Sequence, residues 1–121
     1  MARLRRDMHD AQLTAQVQRP LRIVASGTLF QTHTLSLPSH PSPSTAVRAH
    51  SASRVRGGSA SSLLSLLAQF PSVEALLVAP LAGNDEGVRI LRELEREGVI
   101  TRYCKVWDGA GVPTAWVLHA G

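Results

Sequence analysis

"RVRGGSASSLLSLLAQF", Arg54 to Phe70, passes from a basic segment through two glycines and a cluster of serines into a leucine-rich run. Four apolar residues of that run recur at helical spacing and a fifth widens the stripe: Leu63, Leu66, Leu67, Phe70 and Leu64. The pattern predicts a mostly buried helix over about residues 61–70, closed by Pro71. Gly57 and Gly58 therefore stand just before a helix N-terminus, where backbone without a Cβ allows another group to approach closely.

Apolar runs on both sides of this stretch predict buried strands. "LRIVASG", residues 21–27, stops at a glycine, and "VEALLVAPL", residues 73–81, lies between prolines. Residues 28–36 and 46–55 alternate in polarity and predict a small, partly exposed hairpin or flap, joined by a proline- and serine-rich loop. The inward-facing side chains of its second strand are expected to be Val47, Ala49 and Val55.

The next segment, "AGNDEGVRILRELEREGV", carries clear helix punctuation. Asn84 is a candidate N-cap, two acids fill the first turn, and Gly98 stands at the end. Its core face is expected to comprise Val88, Leu91 and Leu94. On the other face, solvated charge pairs are expected between Arg89 and Glu93 and between Arg92 and Glu95.

Two more strands, at about residues 100–107 and 113–120, are predicted around "DGAGV". Strands and helices thus alternate along the chain, which is typical of an α/β fold with an open, mostly parallel sheet. Ligands of such folds bind at the carboxyl ends of the strands, where loops and helix N-termini converge. The glycine pair lies at such a place if the flap folds back toward the first strand.

The charge of the chain is uneven. Eight arginines and two aspartates precede Gly57, whereas seven acids outnumber five bases from there onward. Residues 1–20 are accordingly predicted to be a basic, polar leader without fixed structure. A solvated leader, an arm that contacts phosphate backbones and an organellar targeting peptide are three interpretations of it. No aromatic residue is interleaved there for base stacking, which makes nucleic-acid binding the weakest of the hypotheses.

Cysteine content and hydropathy limit the class of protein. The single cysteine, Cys104, excludes an internal disulfide and is expected to be a small core residue without a chemical role. No apolar run approaches the roughly 20 residues that a membrane span needs. We therefore expect a cytoplasmic protein without a membrane partner.

From about Arg22 to His119 the chain resembles the amino-terminal part of the ribokinase-like (PfkB) carbohydrate kinases, such as ketohexokinase and adenosine kinase. The matching features occur in order: "VASG" at a strand end, a β flap, "RGGSASSLLSLLAQ" against the family's Gly-Gly-Asn-Ala signature, "APLAGNDEGVRILRELEREGV" against its Gly-x-Asp-x-x-Gly turn and helix, and "GVPTAWVLHA". Gly83 and Gly87 stand one residue closer together than that turn asks.

The resemblance implies a partial ribokinase-like domain over residues 21–121, with flanking helices and a small β lid formed by strands at about residues 28–56 and 101–119. The family transfers phosphate from ATP, with Mg²⁺, to a hydroxyl group of a sugar or nucleoside. By similarity, the substrate would contact Gly57, Gly58, Ser59, Ser62 and Thr32. The lid often serves as a dimer contact in the family, which implies a homodimer as an alternative partner.

Three substitutions weaken the implied grip on a sugar. Thr32 stands where the family has an aspartate five residues after the first glycine, and Ser59 and Ser62 replace two asparagines. A charge-assisted hydrogen bond of that kind contributes on the order of 1.5 to 3 kcal/mol, more than a hydroxyl supplies. His33 cannot substitute for the aspartate, because on an alternating strand it faces away from Thr32.

The segment "DGAGV", residues 108–112, matches only part of the family's catalytic Gly-Ala-Gly-Asp motif. In "DGAGV", Gly111 is followed by Val112 where the catalytic aspartate would stand, and a strand-like run follows instead of a helix. We therefore predict a hairpin turn whose glycines supply positive φ, and we expect neither the ATP site nor the catalytic base in this chain. The sequence thus predicts a truncated sugar kinase that is inactive alone, with a non-catalytic binding or dimerisation module built on the lid as the alternative.

Overall fold

The computed structural model describes residues 19–121, so most of the predicted leader, residues 1–18, lies outside the described part of the chain. Seven strands and two helices follow one another within the described residues. They are β1 (Leu21–Ser26), β2 (Phe30–Leu37), β3 (Ser51–Gly57), α1 (Ser59–Leu67), β4 (Val73–Val78), β5 (Pro80–Ala82), α2 (Asp85–Arg96), β6 (Lys105–Trp107) and β7 (Thr114–Ala120).

Parallel pairing dominates the main body. β1 pairs with β4 in parallel, and β5 pairs with β6 in parallel. A parallel bridge between Leu76 and Ile100 connects β4 to the chain segment that leads into β6. The predicted α/β fold with an open, mostly parallel sheet is confirmed.

The apolar core lies on one face of this sheet. Helix α1 contributes Leu64 and helix α2 contributes Leu94, both fully buried, against Leu77 of β4. The opposite face is only partly covered among the described residues, since Leu76 is buried whereas Val24 is 62% and Val78 39% exposed. The prediction that β1 and β4 are buried strands therefore holds in full for one face only, because successive side chains of a strand point to opposite faces.

The flap forms a separate sheet with the strand order β3-β2-β7, called the lid sheet below. β2 pairs with β3 in antiparallel fashion, as the hairpin prediction required, and with β7 in parallel. The expected inward positions of the second flap strand were wrong in part. β3 begins only at Ser51, so Val47, 37% exposed, and Ala49, half-buried, lie in the loop before it, and Val55 of β3 is 62% exposed.

The region predicted as lid strands over residues 101–119 divides between two sheets. β6 joins β5 in the main body, and only β7 joins the lid sheet. "DGAGV" is therefore a crossover between sheets, and the prediction of a hairpin turn was wrong. Gly109 alone among its glycines has a positive φ, of 76°.

Helix α1 begins two residues earlier than predicted, and the face that it buries differs from the leucine-rich face. It starts at Ser59 and ends at Leu67, before Phe70 and Pro71. Ser61 and Leu64 are buried, whereas Leu63, Leu66 and Phe70 are 49%, 64% and 56% exposed. The helix rests on the sheet through its small residues and Leu64. A sequence rich in leucine on several sides does not reveal which side the sheet will cover.

Helix α2 follows its punctuation closely. The Asn84 side chain accepts a hydrogen bond of 2.9 Å from the Gly87 N–H. At the other end, Gly98 has a φ of 90°, and its N–H donates to the Glu95 carbonyl while Val99 donates to Leu94. This is the double hydrogen bond of a Schellman C-cap.

The core face of α2 is shifted from the predicted one. Ile90 and Leu94 are buried, while Val88 and Leu91 are half-buried. Cys104 packs against the same core and donates its thiol to the Leu77 carbonyl at 3.2 Å, and burial raises the pKa of that thiol. No helix within residues 19–121 is long and apolar enough to cross a membrane.

Candidate functional site

Four of the five predicted site residues lie together where the lid sheet meets α1. Gly57 ends β3, Gly58 is the N-cap of α1, and Ser59 and Ser62 lie exposed on its first two turns. The fifth, Thr32, pairs with Val55 in the lid sheet, two residues from the pair formed by Phe30 and Gly57. With a rise of about 3.3 Å per residue, Thr32 lies roughly 7 Å along the strand from the glycine pair.

The helix that follows the flap lies against the end of the first strand. A Cβ on Gly27, just after β1, would lie 2.8 Å from the Cβ of Ala60 in α1. The end of β1 and the first turn of α1 are therefore in direct contact. The glycine pair stands at the carboxyl end of a parallel strand, which is the location where ligands of open α/β sheets bind.

Contacts within the chain explain why both positions are glycine. A Cβ on Gly57 would overlap the ring of Phe30, which lies across it from the paired strand. Gly58 has a φ of 120° and a ψ of 117°, and a Cβ there would lie 2.6 Å from the Thr28 carbonyl oxygen. The bare backbone is thus required by packing. The prediction that it also admits a polyol stays a prediction.

The N-terminus of α1 has no side-chain cap, because Gly58 has no side chain to supply one. The serine hydroxyl nearest to it, that of Ser61, is buried and donates to the Gly58 carbonyl at 3.0 Å. The N–H groups of the first helical turn are consequently left without a side-chain acceptor. Such groups carry the positive end of the helix dipole and can donate to ligand oxygens.

His33 lies away from the site, as predicted. It pairs with Trp116, whereas Thr32 pairs with Ala115, so the two side chains emerge on opposite faces of the lid sheet. The imidazole of His33 stacks on the Trp116 ring, with centroids 4.3 Å apart.

An ionic cluster beside the site was not predicted from the sequence. Arg56, the residue before the glycine pair, donates from Nη2 to Glu97 Oε2 at 2.6 Å and to Ser65 Oγ at 3.2 Å. Ser65 also donates to Glu97 Oε2 at 2.6 Å, and Glu93 Oε2 lies 3.7 Å from Arg56 Nη1. The Arg56 side chain is 11% exposed, and its buried Nε has no hydrogen-bond partner among the described residues.

The cluster changes the acidity of Glu97. Partial burial opposes ionisation of this carboxyl, but the hydrogen bonds from Arg56 and Ser65 outweigh burial and hold the pKa of Glu97 below its ordinary value.

Glu93 contacts Arg56 instead of forming the pair with Arg89 that helical spacing predicts. Arg89 instead approaches Glu86 at 3.6 Å and donates to Gln31 of β2 at 3.4 Å. The contacts of Arg56 with Glu93 and Glu97 and of Arg89 with Gln31 join residues 37 to 58 positions apart, so local sequence does not indicate them.

A small, partly open cavity in the fold does not belong to this site. Its volume is about 20 Å³, room for about one water molecule. It lies between β5, α2 and the chain before β7, and it is lined mainly by apolar side chains: Leu29, Pro80, Leu81, Ile90 and Val112. None of the five predicted site residues lines it.

The described residues do not fit a nucleotide and its metal. Val112 follows Gly111, and the chain runs through Pro113 into β7, so no helix N-terminus follows the "DGAGV" segment. Within residues 19–121 no group of three or more histidine, cysteine or acidic side chains is placed to hold a metal ion. We therefore derive no chemical step through ATP or Mg²⁺ from these residues.

Comparison of the structure with solved structures identifies the fold. A ribokinase from Cryptococcus neoformans, solved in complex with ADP, matches 80% of this chain at a TM-score of 0.64 and 18% identity. A nucleoside kinase of the ribokinase family from Methanocaldococcus jannaschii matches 83% at 0.66 and 17% identity. The chain has the ribokinase-like fold.

The ribokinase-like match covers only part of each known structure. It spans 30% of the C. neoformans ribokinase and 33% of the M. jannaschii nucleoside kinase. A third neighbour, the 2-dehydro-3-deoxygluconokinase from Thermotoga maritima, matches 79% of this chain and 27% of its own at a TM-score of 0.60 and 24% identity. No family model and no curated protein matches the sequence itself. The ribokinase-like neighbours thus include kinases of different substrates.

Proposed function

We propose that residues 21–121 are the sugar-binding part of a ribokinase-like carbohydrate kinase and do not transfer phosphate by themselves. The observation that carries this proposal is the uncapped N-terminus of α1 at the junction with the lid sheet. Backbone N–H groups there, with the exposed hydroxyls of Ser59 and Ser62, form a donor-rich surface suited to the oxygens of a sugar or nucleoside.

The lid sheet supplies the other side of the proposed site. Thr32 is half-buried on the face that also carries Phe30, roughly one pleat from the glycine pair. Its hydroxyl would accept from or donate to a substrate hydroxyl. A neutral hydrogen bond contributes about 0.5 to 1.5 kcal/mol, which is less than a carboxylate would contribute, so we expect weak binding.

Phosphoryl transfer requires groups that we place outside these residues. ATP with Mg²⁺ is the cofactor pair implied by the family resemblance, and a structural neighbour was solved with ADP. In such chemistry a positioned base and donors near the transferred phosphate stabilise the transition state. The described residues offer neither, so we assign them substrate binding alone.

A binding panel and an activity assay together test this proposal. Calorimetric titration of the full chain with ribose, fructose and adenosine should detect a ligand, and Thr32→Ala should weaken its binding about two- to tenfold. Thr34→Ala is the matched control, because Thr34 lies on the same face one pleat farther from the glycines. A coupled ATPase assay should give no sugar-dependent turnover. Robust turnover by the isolated chain, or equal loss in both variants, would contradict the proposal.

A second candidate function is a non-catalytic module that dimerises through the lid sheet. It is favoured by the exposed apolar side chains of β7, since Trp116 is 64%, Val117 44% and Leu118 54% exposed. Light scattering distinguishes the two candidates. A concentration-independent monomer that binds sugar supports the first, and a dimer that Trp116→Ser dissociates supports the second.

A further inference from the structure

The lid sheet contributes no residue to the main apolar cluster of the body, although Leu37 and Gln31 of β2 are themselves buried. The core cluster of the described residues consists of side chains from β4, β5, the two helices and adjoining loops, and it contains no residue of β2, β3 or β7. Leu29, which directly precedes β2, is the nearest core residue to the lid in sequence. Polar contacts therefore help to fix the orientation of the lid sheet relative to the body, and one of them is the hydrogen bond of 3.4 Å from Arg89 of α2 to the buried Gln31 of β2.

The ionic cluster around Arg56 provides a second polar contact of this kind, with shorter distances. Arg56 belongs to the lid strand β3, Ser65 to α1, and Glu97 caps the C-terminus of α2. One guanidinium thus connects the lid to both helices, with contacts of 2.6 Å to Glu97 and 3.2 Å to Ser65. Gln69, which follows α1, also connects the two acceptor residues, because its side chain donates to the Ser65 and Glu97 carbonyls at 3.1 and 3.4 Å.

Arg56 lies where its contacts can restrict rotation of the lid sheet relative to α1. It is followed directly by the two glycines, and Gly58 adopts a backbone conformation that only glycine adopts easily. A change of backbone angles at these glycines would rotate β3 relative to α1. The contacts of Arg56 oppose that rotation from the residue immediately before the glycines.

We infer that Arg56 is a latch that fixes the lid sheet to the helix layer through Glu97 and Ser65. Arg56 is thus a positioning residue: it sets the distance between Thr32 on the lid and the N-terminus of α1. The inference concerns the lid itself and stands whether or not the chain binds a sugar.

Hydrogen exchange of the full chain, followed by mass spectrometry, tests the latch. Arg56→Ala should accelerate amide exchange in β2, β3 and β7 roughly tenfold or more, because hydrogen bonds to charged groups are lost. Peptides from residues 73–99, in the body, should exchange at the rate of the unmodified chain. The matched control is Arg54→Ala, on the same strand and the same face but exposed.

Two further variants keep the test decisive. Glu97→Gln preserves the volume and removes the charge, so it should accelerate lid exchange less than Arg56→Ala, and it decides the matter if Arg56→Ala does not fold. The exchanged pair Arg56→Glu with Glu97→Arg should restore part of the protection. Equal acceleration in lid and body would mean a general structural role, and unchanged lid exchange would mean no latch; either result would overturn the inference.

Discussion

Gly58→Ala should destabilise the chain strongly, although alanine is the residue most favourable in a helix interior, because Gly58 is the N-cap of α1. The backbone of Gly58, with φ 120° and ψ 117°, lies outside the region that L-residues reach without strain. Such conformations cost on the order of 1–3 kcal/mol. A Cβ would also lie 2.6 Å from the Thr28 carbonyl oxygen, which forces the backbone apart. Together these effects should lower the free energy of unfolding by about 2–5 kcal/mol.

Two other glycines separate these effects. Gly109 has a positive φ of 76°, but a Cβ there would meet nothing within 4 Å, so Gly109→Ala should cost only the conformational strain, about 1–2 kcal/mol. At Gly111 φ is not positive and the nearest atom, Asn84 Nδ2, lies 3.9 Å away. Gly111→Ala should therefore be neutral or slightly stabilising, by reducing the entropy of the unfolded chain.

Urea unfolding of the three variants, followed by far-UV circular dichroism and by fluorescence of the two tryptophans, measures the differences. The expected order of stability is Gly111→Ala, then Gly109→Ala, then Gly58→Ala. A loss of about 2–5 kcal/mol is a large share of the roughly 5–15 kcal/mol typical of a domain, so Gly58→Ala will unfold at much lower urea. Gly58→Ala as stable as Gly109→Ala would refute the close approach of Gly58 to Thr28.

Three further outcomes follow from the fold. Asn84→Ala should lower the free energy of unfolding in urea by about 1 kcal/mol, because the helix N-cap is lost. Asn84→Asp should keep most of the stabilisation, because aspartate is also a good N-cap. Leu64→Ala, at a fully buried position, should cost about 2–5 kcal/mol, whereas Leu66→Ala, at a position 64% exposed, should cost less than about 0.5. Because the folded-state pKa of Glu97 is lowered, its stabilisation is present above the unfolded-state pKa and lost as pH falls through the folded value. The difference in melting temperature between the unmodified chain and Glu97→Gln should therefore shrink on acidification, and a constant difference would exclude this linkage.

Local signals predicted the ends of elements well. Asn84 and Gly98 define α2 through hydrogen bonds to residues no more than five positions away, so their effect is encoded in adjacent sequence. The flap between residues 30 and 57 was predictable for the same reason, because alternating polarity and a proline-rich loop indicate a hairpin. The resemblance of several ordered motifs to ribokinase-like kinases predicted the fold, which the structural neighbours confirm.

The location of the glycine pair was predicted, and the physical reason for the two glycines was not. The sequence placed Gly57 and Gly58 beside a helix N-terminus, and the structure does so too. These positions require glycine, however, because Phe30 and the Thr28 carbonyl occupy the space that a side chain would need. Both contacts depend on how β2 lies against β3, which local sequence does not specify.

By itself, the sequence determined the order of strands and helices, the caps of α2 and the run "RGGSASS" at the junction of flap and helix, because these depend on short-range hydrogen bonds and on side-chain periodicity. Only the tertiary structure decided which side of α1 is buried, which sheet receives β6 and β7, and that Arg56 meets Glu97. Those outcomes depend on contacts between residues tens of positions apart. Such contacts form only where the packing of the whole domain brings the partners together.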